Sequence, residues 1–390
     1  MLSCDQDDPN GIGAHRQALE GNVTSDERVN ELFRPLAIRS LTMRNRFAMA
    51  PMTRRASPNG VPGADVAEYY RRRAAGGVGL IITEGIRLPQ PEAGWPAEIP
   101  TLAGDAVLEG WCAVTEAVHG HSGAIAAQLW HQGAERGDRD GVAPVSPSGL
   151  NSVGEPIGRA LGTDDLVDVA AGYAEAAANA RAVGFDAVEL HGAHGYLLDE
   201  FLWATTNRRT DEYGGSRWAR SRFPAEVVAA VRTAVGPDFP IIFRFSQWKQ
   251  TDYTASIADD PAELQELLSP LVEAGVDVFH PSTRRHYKPA FPDVDPEMSL
   301  PGWTKKVTGV PVIAVGSVGL ETEFTPGRPG GRIPPAPVDR LLDQFQAGEF
   351  DVVAIGRALL ADPTWVNRLR DDALDGFNGF DAEVALAGLI

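Results

Sequence analysis

The stretch Phe185-Asp-Ala-Val-Glu-Leu-His-Gly-Ala-His-Gly-Tyr-Leu-Leu-Asp-Glu-Phe201 carries the reading of this chain. It begins with a short, largely apolar run, 187–190, of the kind that forms a buried strand. Three proton-capable groups then arrive within six positions: His191, His194 and Tyr196. Gly192 and Gly195 sit beside them and let the backbone turn tightly. Two imidazoles and a phenol at the exit of a buried strand suit a site that grips an oxygen and handles a proton. On these residues alone, a His-x-x-His pair that caps a helix or binds a metal ion has equal weight.

Working outward, the same kind of run recurs eight times: 46–50, 79–83, 124–129, 187–190, 241–245, 276–279, 312–315 and 352–355. Short runs rich in Val, Ile and Phe are expected of parallel strands buried on both faces. Amphipathic stretches lie between them. One covers 65–73 and ends at Gly76-Gly77; another covers 164–184, acidic at its start and ending in glycine. Two more, 224–236 and 261–275, open with proline and close with glycine. Strand then helix, eight times over, predicts an α/β fold of the (β/α)8 TIM-barrel type. A doubly wound sheet is the weaker alternative, because no G-x-G-x-x-G follows the first strand. Residues 34–43 predict a hairpin across the barrel bottom. Long loops are expected after strand 3 (133–163), strand 6 (282–301) and strand 7 (321–337). Residues 1–28, acidic and rich in Gly, Asp and Asn, are expected to form a flexible N-terminal extension, with 29–390 a single barrel domain.

Composition narrows the function. The chain has 390 residues, 43% of them apolar, and a formal charge of −18. Such an acidic surface is a poor partner for nucleic acid or anionic membrane. Cys4 and Cys112 are the two cysteines, too few for a disulfide framework, a zinc site or an iron–sulfur cluster. A reducing cytoplasm is the expected location. The N-terminus has no basic segment leading into an apolar one, so no secretory signal is expected. No apolar run approaches the roughly 20 residues that span a bilayer.

Barrel active sites gather at the C-terminal ends of the strands. Strands 7 and 8 deliver Gly316-Ser317 and Gly356-Arg357, where accessible backbone N–H groups and a guanidinium make a phosphate cradle. Their alternative reading is glycines that merely close tight turns. Arg244, inside strand 5, needs an anionic or carbonyl-rich partner, or else a structural pairing with Glu84 or Glu189. Gln128 offers donors and an acceptor to a heterocycle edge, or a plain core hydrogen bond. Thr53 offers a hydroxyl, or a helix cap. Jointly these describe a flat polar ring lying across the mouth with a phosphate at strands 7 and 8.

At these residues the sequence resembles the Old Yellow Enzyme family, over roughly 32–363. The resemblance rests on Leu-Phe-Arg-Pro-Leu (32–36), Asn-Arg-Phe (45–47), Ala-Pro-Met-Thr-Arg (50–54) and Gln-Leu-Trp-His-Gln-Gly (128–133). It continues through Glu-Leu-His-Gly-Ala-His-Gly-Tyr-Leu-Leu (189–198), Asn-Arg-Arg-Thr-Asp-Glu-Tyr-Gly-Gly-Ser (207–216) and Ile-Gly-Arg-Ala-Leu-Leu-Ala-Asp-Pro (355–363), all in family order. It implies an FMN-dependent ene-reductase in which NADPH or NADH reduces the flavin and an electrophilic alkene, such as an enone or nitroalkene, reoxidises it. Ala50, Pro51, Met52 and Thr53 would underlie the flavin ring. Gly85 and Gln128 would touch its edge, and Arg244 would lie near N1 and C2=O. Gly316, Ser317, Gly356 and Arg357 would hold the FMN phosphate. His191 and His194 would bind the substrate oxygen and Tyr196 would donate the proton. A protein of this kind would act as a monomer or a homo-oligomer, with no resident metal. Phe-Ser-Gln-Trp-Lys (245–249) and Phe-Leu-Trp-Ala (201–204) depart from the commonest family pattern and resemble a bacterial subgroup.

Three other functions compete. A flavin-free phosphate-binding lyase or aldolase would want a lysine inside a strand, and Lys249 is expected to lie past strand 5. A metal-dependent hydrolase would want His-x-His at strand 1 and Asp at strand 8, where this chain has Ala-Met-Ala-Pro and Ile-Gly. A non-catalytic flavin-binding protein would have no use for Tyr196 and the histidine pair.

Overall fold

Eight parallel strands follow one another round a barrel: β1 (Phe47–Met49), β2 (Leu80–Arg87), β3 (Ala124–Trp130), β4 (Ala187–His194), β5 (Ile241–Lys249), β6 (Val278–Pro281), β7 (Ile313–Val315) and β8 (Val352–Ile355). The computed structural model describes residues 25–323 and 331–389. Hydrogen-bonded neighbours run β6-β5-β4-β3-β2-β1-β8-β7. The remaining seam, between β6 and β7, is closed by the bridges Phe279–Val312 and Ser282–Val315. Helices alternate with the strands, from Ala64–Ala75 after β1 to Arg357–Ala361 and Trp365–Arg370 after β8.

Side chains alternate across a strand, so each strand serves two cores. Phe47, Ile81, Ile125, Val188 and Phe243 pack outward beneath the helices. Ala48, Leu80, Ala126, Ala187, Ile242 and Val278 belong to a second, inner cluster. The expected hairpin is present: Leu36–Ile38 pairs antiparallel with Leu41–Met43. Ile38, Leu41 and Met43 join the inner cluster and floor the barrel. Continuing the same alternation toward the C-terminal ends puts Gln128, Glu189, Arg244 and His280 on the inner face, above that apolar floor. The inward polar layer is thus a consequence of strand parity.

Three expectations need correction. Strands β2, β4 and β5 run four residues past the predicted ends at Thr83, Leu190 and Phe245. Lys249 therefore closes β5 rather than lying past it, paired in register with His194 and fully buried. The helix expected at 224–236 is Arg217–Val235, capped by the Ser216 hydroxyl, which accepts from Ala219 N. Pro224 lies inside it, because the buried residues Phe223, Val227 and Val228 that follow the barrel-facing stripe outweigh one lost backbone bond. Residues 1–24 of the expected extension lie outside the described residues; 25–28 begin the helix Ser25–Leu32, and Arg28 pairs with Asp339 and Asp343. Residues 324–330 of the third long loop also lie outside the described residues. Arg332–Ile333, just beyond, pairs antiparallel with Phe380–Asp381.

Candidate active site

The longer β4 carries His191 and His194 to the barrel rim, and Tyr196 follows at the N-terminus of the helix Leu197–Leu202. The three rings converge. His191 lies 5.1 Å from His194 and 4.9 Å from Tyr196, centroid to centroid, each edge-on at 82°. Trp130 packs edge-on against Tyr196 at 4.8 Å and stacks at 6.1 Å on His191. Trp248 stacks on His194 at 4.5 Å, and its indole N–H donates to Ser282 O at 3.0 Å. One wall of the mouth is therefore aromatic and carries three polar tips.

Both imidazoles are held well below their ordinary pKa, first by burial and then by the Arg244 charge. They are neutral near pH 7. His191 Nδ1 accepts from Ala193 N at 3.3 Å. His194 Nε2 lies 2.8 Å from Ser282 Oγ, which accepts from Arg244 at 3.1 Å. Burial raises the Tyr196 phenol to about 12, while a bond from Gln250 works the other way. Among the described residues no group of three or more His, Cys, Asp or Glu side chains is placed to hold a metal ion.

Beneath this wall is the inward polar layer. Glu189 is fully buried and accepts from Gln128 Nε2 at 2.8 Å on one oxygen, and meets His280 Nδ1 at 2.6 Å on the other. Burial pushes its carboxyl up, but His280, Arg244 and Gln128 outweigh that and leave it lowered. Glu189 is thus engaged by His280 and Gln128, and the Arg244 guanidinium turns to Ser282. Arg244 is 6% exposed and its Nε meets no hydrogen-bonding partner among the described residues. That donor is open to an acceptor from outside the chain.

The strand-1 residues lie at the opposite side. Ala50 is buried, Pro51 and Met52 are half-buried, and Thr53 is exposed. A Cβ added at Gly356 would come 3.5 Å from Met52 Sδ, so the β1 and β8 exits adjoin. Gly85 answers a packing need: a Cβ there would enter the Trp130 indole at 2.4 Å. Gly316 has a φ of +143°, and a Cβ would meet His286 N at 2.7 Å and Thr283 O at 2.8 Å. Ser317 Oγ receives Arg357 at 3.1 Å, and Arg357 also reaches Thr322 O at 2.6 Å. Burial, then the neighbouring Arg285, lowers the Arg357 guanidinium to about 10. Arg357 and Arg285, the latter 4.0 Å from Glu323, lie beside a glycine-built backbone turn, a setting that suits an anion.

Ring contacts and hydrogen bonds thus bring His191, His194 and Tyr196 together and join Arg244 to them through Ser282, with Gln128 bonded to Glu189 in the layer beneath. Ser317 and Arg357 form a second cluster at the β7 and β8 exits, and Gly356 adjoins Met52. Sequence reasoning passed over Trp130, although it lies in a quoted motif, and also Ser282, Trp248 and Gln250. Parity counted along β5 and β6 would have found Ser282, two positions above His280 on the inner face. Nothing local distinguishes Gln250, whose importance depends on the approach of β4.

Fold and mouth define the class, a (β/α)8 barrel of enzymatic type. The chain belongs to the NADH:flavin oxidoreductase / NADH oxidase family, whose profile matches residues 31–327. It is 35% identical over 352 residues to an NADH oxidase of Thermoanaerobacter brockii, covering 87% of this chain and 50% of that protein. The chain therefore spans about half the length of that relative. It is 33% identical over 351 residues to an NADP-dependent oxidoreductase of Aspergillus flavus, covering 88% of this chain and 90% of that protein. A solved structure of a morphinone reductase variant in complex with tetrahydroNAD superposes with a TM-score of 0.76 at 31% identity, covering 92% and 94% of the two chains. No helix among the described residues is long and apolar enough to cross a membrane.

Proposed function

We propose that this protein is an FMN-dependent ene-reductase that takes reducing equivalents from NADPH or NADH and reduces an activated alkene such as an enone or nitroalkene. The observation that carries the proposal is the convergence of His191, His194 and Tyr196 on one space. The residues present fit FMN. The unpartnered Nε of Arg244 is a buried donor for a ring carbonyl, and the Gln128 amide beside it is a second polar edge. Gly316, Ser317, Gly356 and Arg357 suit the phosphate, and Ala50 to Thr53 the underside of the ring. When bound, FMN supplies the hydride chemistry that no side chain here can perform.

The chain's own groups do the rest. With Nδ1 occupied by Ala193 N–H, His191 carries its proton on Nε2. Ser282 Oγ accepts from Arg244 and keeps its own hydroxyl proton; donated to His194 Nε2, that proton would leave Nδ1–H as the ring's donor. Two neutral N–H groups aimed at a carbonyl or nitro oxygen draw electron density from the β-carbon. Tyr196 protonates the α-carbon. Trp130 and Trp248 make the walls flat and keep water from the reacting face. The similarity to a structure holding a nicotinamide analogue supports the reductant.

The test is an anaerobic visible spectrum of FMN-loaded protein, taken before and after NADPH and then cyclohexenone. The flavin colour should bleach and return. Tyr196→Phe should bleach normally but recover about a hundredfold or more slowly, the usual share of a general acid. His191→Ala should weaken a phenolic ligand's binding about tenfold or more. A protein that cannot be loaded with FMN overturns the reading, and Tyr196→Phe turnover equal to wild type removes Tyr196 as the donor.

A further inference from the structure

The exit of β5, Phe-Ser-Gln-Trp-Lys-Gln (245–250), ends in a residue that the proposed chemistry does not yet use. Gln250 is exposed at the rim, and its Nε2 donates to the Tyr196 hydroxyl at 2.8 Å. Its backbone N–H bonds His194 O at 3.3 Å, so the side chain starts from a fixed point on β4. The preceding residue adds a second anchor. Lys249 Nζ pairs with Asp199 at 2.7 Å, and Asp199 accepts from Gly195 N at 2.7 Å, one residue before Tyr196. The phenol ring itself is wedged edge-on between Trp130 and His191. Its remaining freedom is rotation of the O–H bond.

We infer that Gln250 is a positioning residue for Tyr196: by donating into the phenol oxygen, its amide directs the phenol's own proton toward the bound substrate. The inference rests on the ene-reductase reading for its chemical purpose. When the proton leaves, the O–H bond breaks, a C–H bond forms at the α-carbon and the electron pair stays on the phenolate oxygen. The Gln250 bond then becomes charge-assisted and strengthens. Water at the exposed rim returns the proton. A donor that binds phenolate better than phenol favours the transfer.

Gln250→Leu and Gln250→Glu test this, both at an exposed position where folding is not at risk. In Gln250→Leu the alkene-reducing half-reaction should slow roughly ten- to hundredfold, the worth of a hydrogen bond to a charged group. Flavin reduction by NADPH and the affinity for a phenolic ligand should stay as in wild type. In Gln250→Glu an ionised carboxylate would accept the phenol proton and hold it. The alkene half-reaction should therefore fall as pH rises through the new carboxylate's pKa, a step the wild type lacks. Glu135, Arg55 and Arg244 also act on Tyr196, but they are common to both proteins and cancel in the comparison.

A second readout separates this inference from the reading beneath it. The protein has seven tyrosines, and with 13C at Cζ the Tyr196 signal is identified by its loss in Tyr196→Phe. That signal should titrate with the Gln250→Glu carboxylate. If it does not move, Gln250 does not bond the phenol and the inference fails, whatever the enzyme's activity. If it moves while the alkene rate stays level with pH, the bond is real but Tyr196 is not the donor, so the inference fails while the ene-reductase assignment stands; failure of that assignment is read separately, as a flavin that NADPH bleaches and no alkene reoxidises.

Discussion

Glu84 is 1% exposed, and its Oε2 accepts the backbone N–H of both Arg54 and Arg55, directly after Thr53. It is the clamp that sets the strand-1 exit beneath the mouth. Burial raises its carboxyl from an ordinary 4.5 to about 7, against the pull of those two bonds. Below pH 4.5 folded and unfolded chains both hold the proton. Between 4.5 and 7 the unfolded chain releases it first, so stability falls with rising pH until the folded carboxyl also ionises. The full loss is of order 3 kcal/mol. Glu84→Gln removes the titration. Urea unfolding from pH 4.5 to 7 should show the variant's stability rising relative to wild type by that order, and parallel curves would place the buried charge elsewhere. Glu84 could be read from the sequence as a residue at a strand end. Its role could not, because the N–H groups it holds are thirty residues away and are brought there by the β1–β2 pairing.

At the scale of the element, β5 is the strand that differs most from its sequence reading. Periodicity showed the apolar run Ile241 to Phe245, but the strand continues through Ser246, Gln247 and Trp248 to Lys249. These last residues are strand because β4 lies beside them, with a register shift between Gly192 and His194. Lys249 and Asp199 are both fully buried, and the ammonium also bonds Ser246 O at 3.0 Å. Removing one partner of such a pair leaves an uncompensated charge. Lys249→Met should cost about 3–5 kcal/mol, and Lys249→Met combined with Asp199→Leu should recover most of it. Guanidinium unfolding of the single and double variants measures both. A double variant as unstable as the single one would mean that the pair acts through the Gly195 bond rather than through charge compensation.

At the scale of the whole molecule, barrel closure is uneven. β4 and β5 share a ladder from Val188–Ile241 to His194–Lys249. β6 and β7 share two isolated bridges, with Phe279 N bonding Pro311 O at 3.0 Å. Local opening should begin where the fewest backbone bonds must break. Hydrogen–deuterium exchange followed by mass spectrometry should show peptides over 278–282 and 312–315 exchanging faster than those over 187–194 and 241–245. Equal protection would show that side-chain packing, rather than the ladder, seals the barrel. The seam adjoins Gly316 and Ser317, so bound FMN should slow exchange there more than in β4.

The order of short apolar runs was enough to specify eight strands, and local punctuation marked four of the helices and the hairpin of 34–43, because period and punctuation are local properties of a chain. The motif Glu-Leu-His-Gly-Ala-His-Gly-Tyr likewise marked the mouth, since strand parity sends Glu189 and His191 inward wherever the strand sits. What required the folded molecule were the contacts between strands distant in sequence. Glu189 meets His280 rather than Arg244, Lys249 is buried against Asp199, Gly85 makes room for Trp130, and Gln250 reaches Tyr196. Each depends on inter-strand register and on how far a strand persists once a neighbour pairs with it. Those quantities are set by closing the barrel, and no window of sequence contains them.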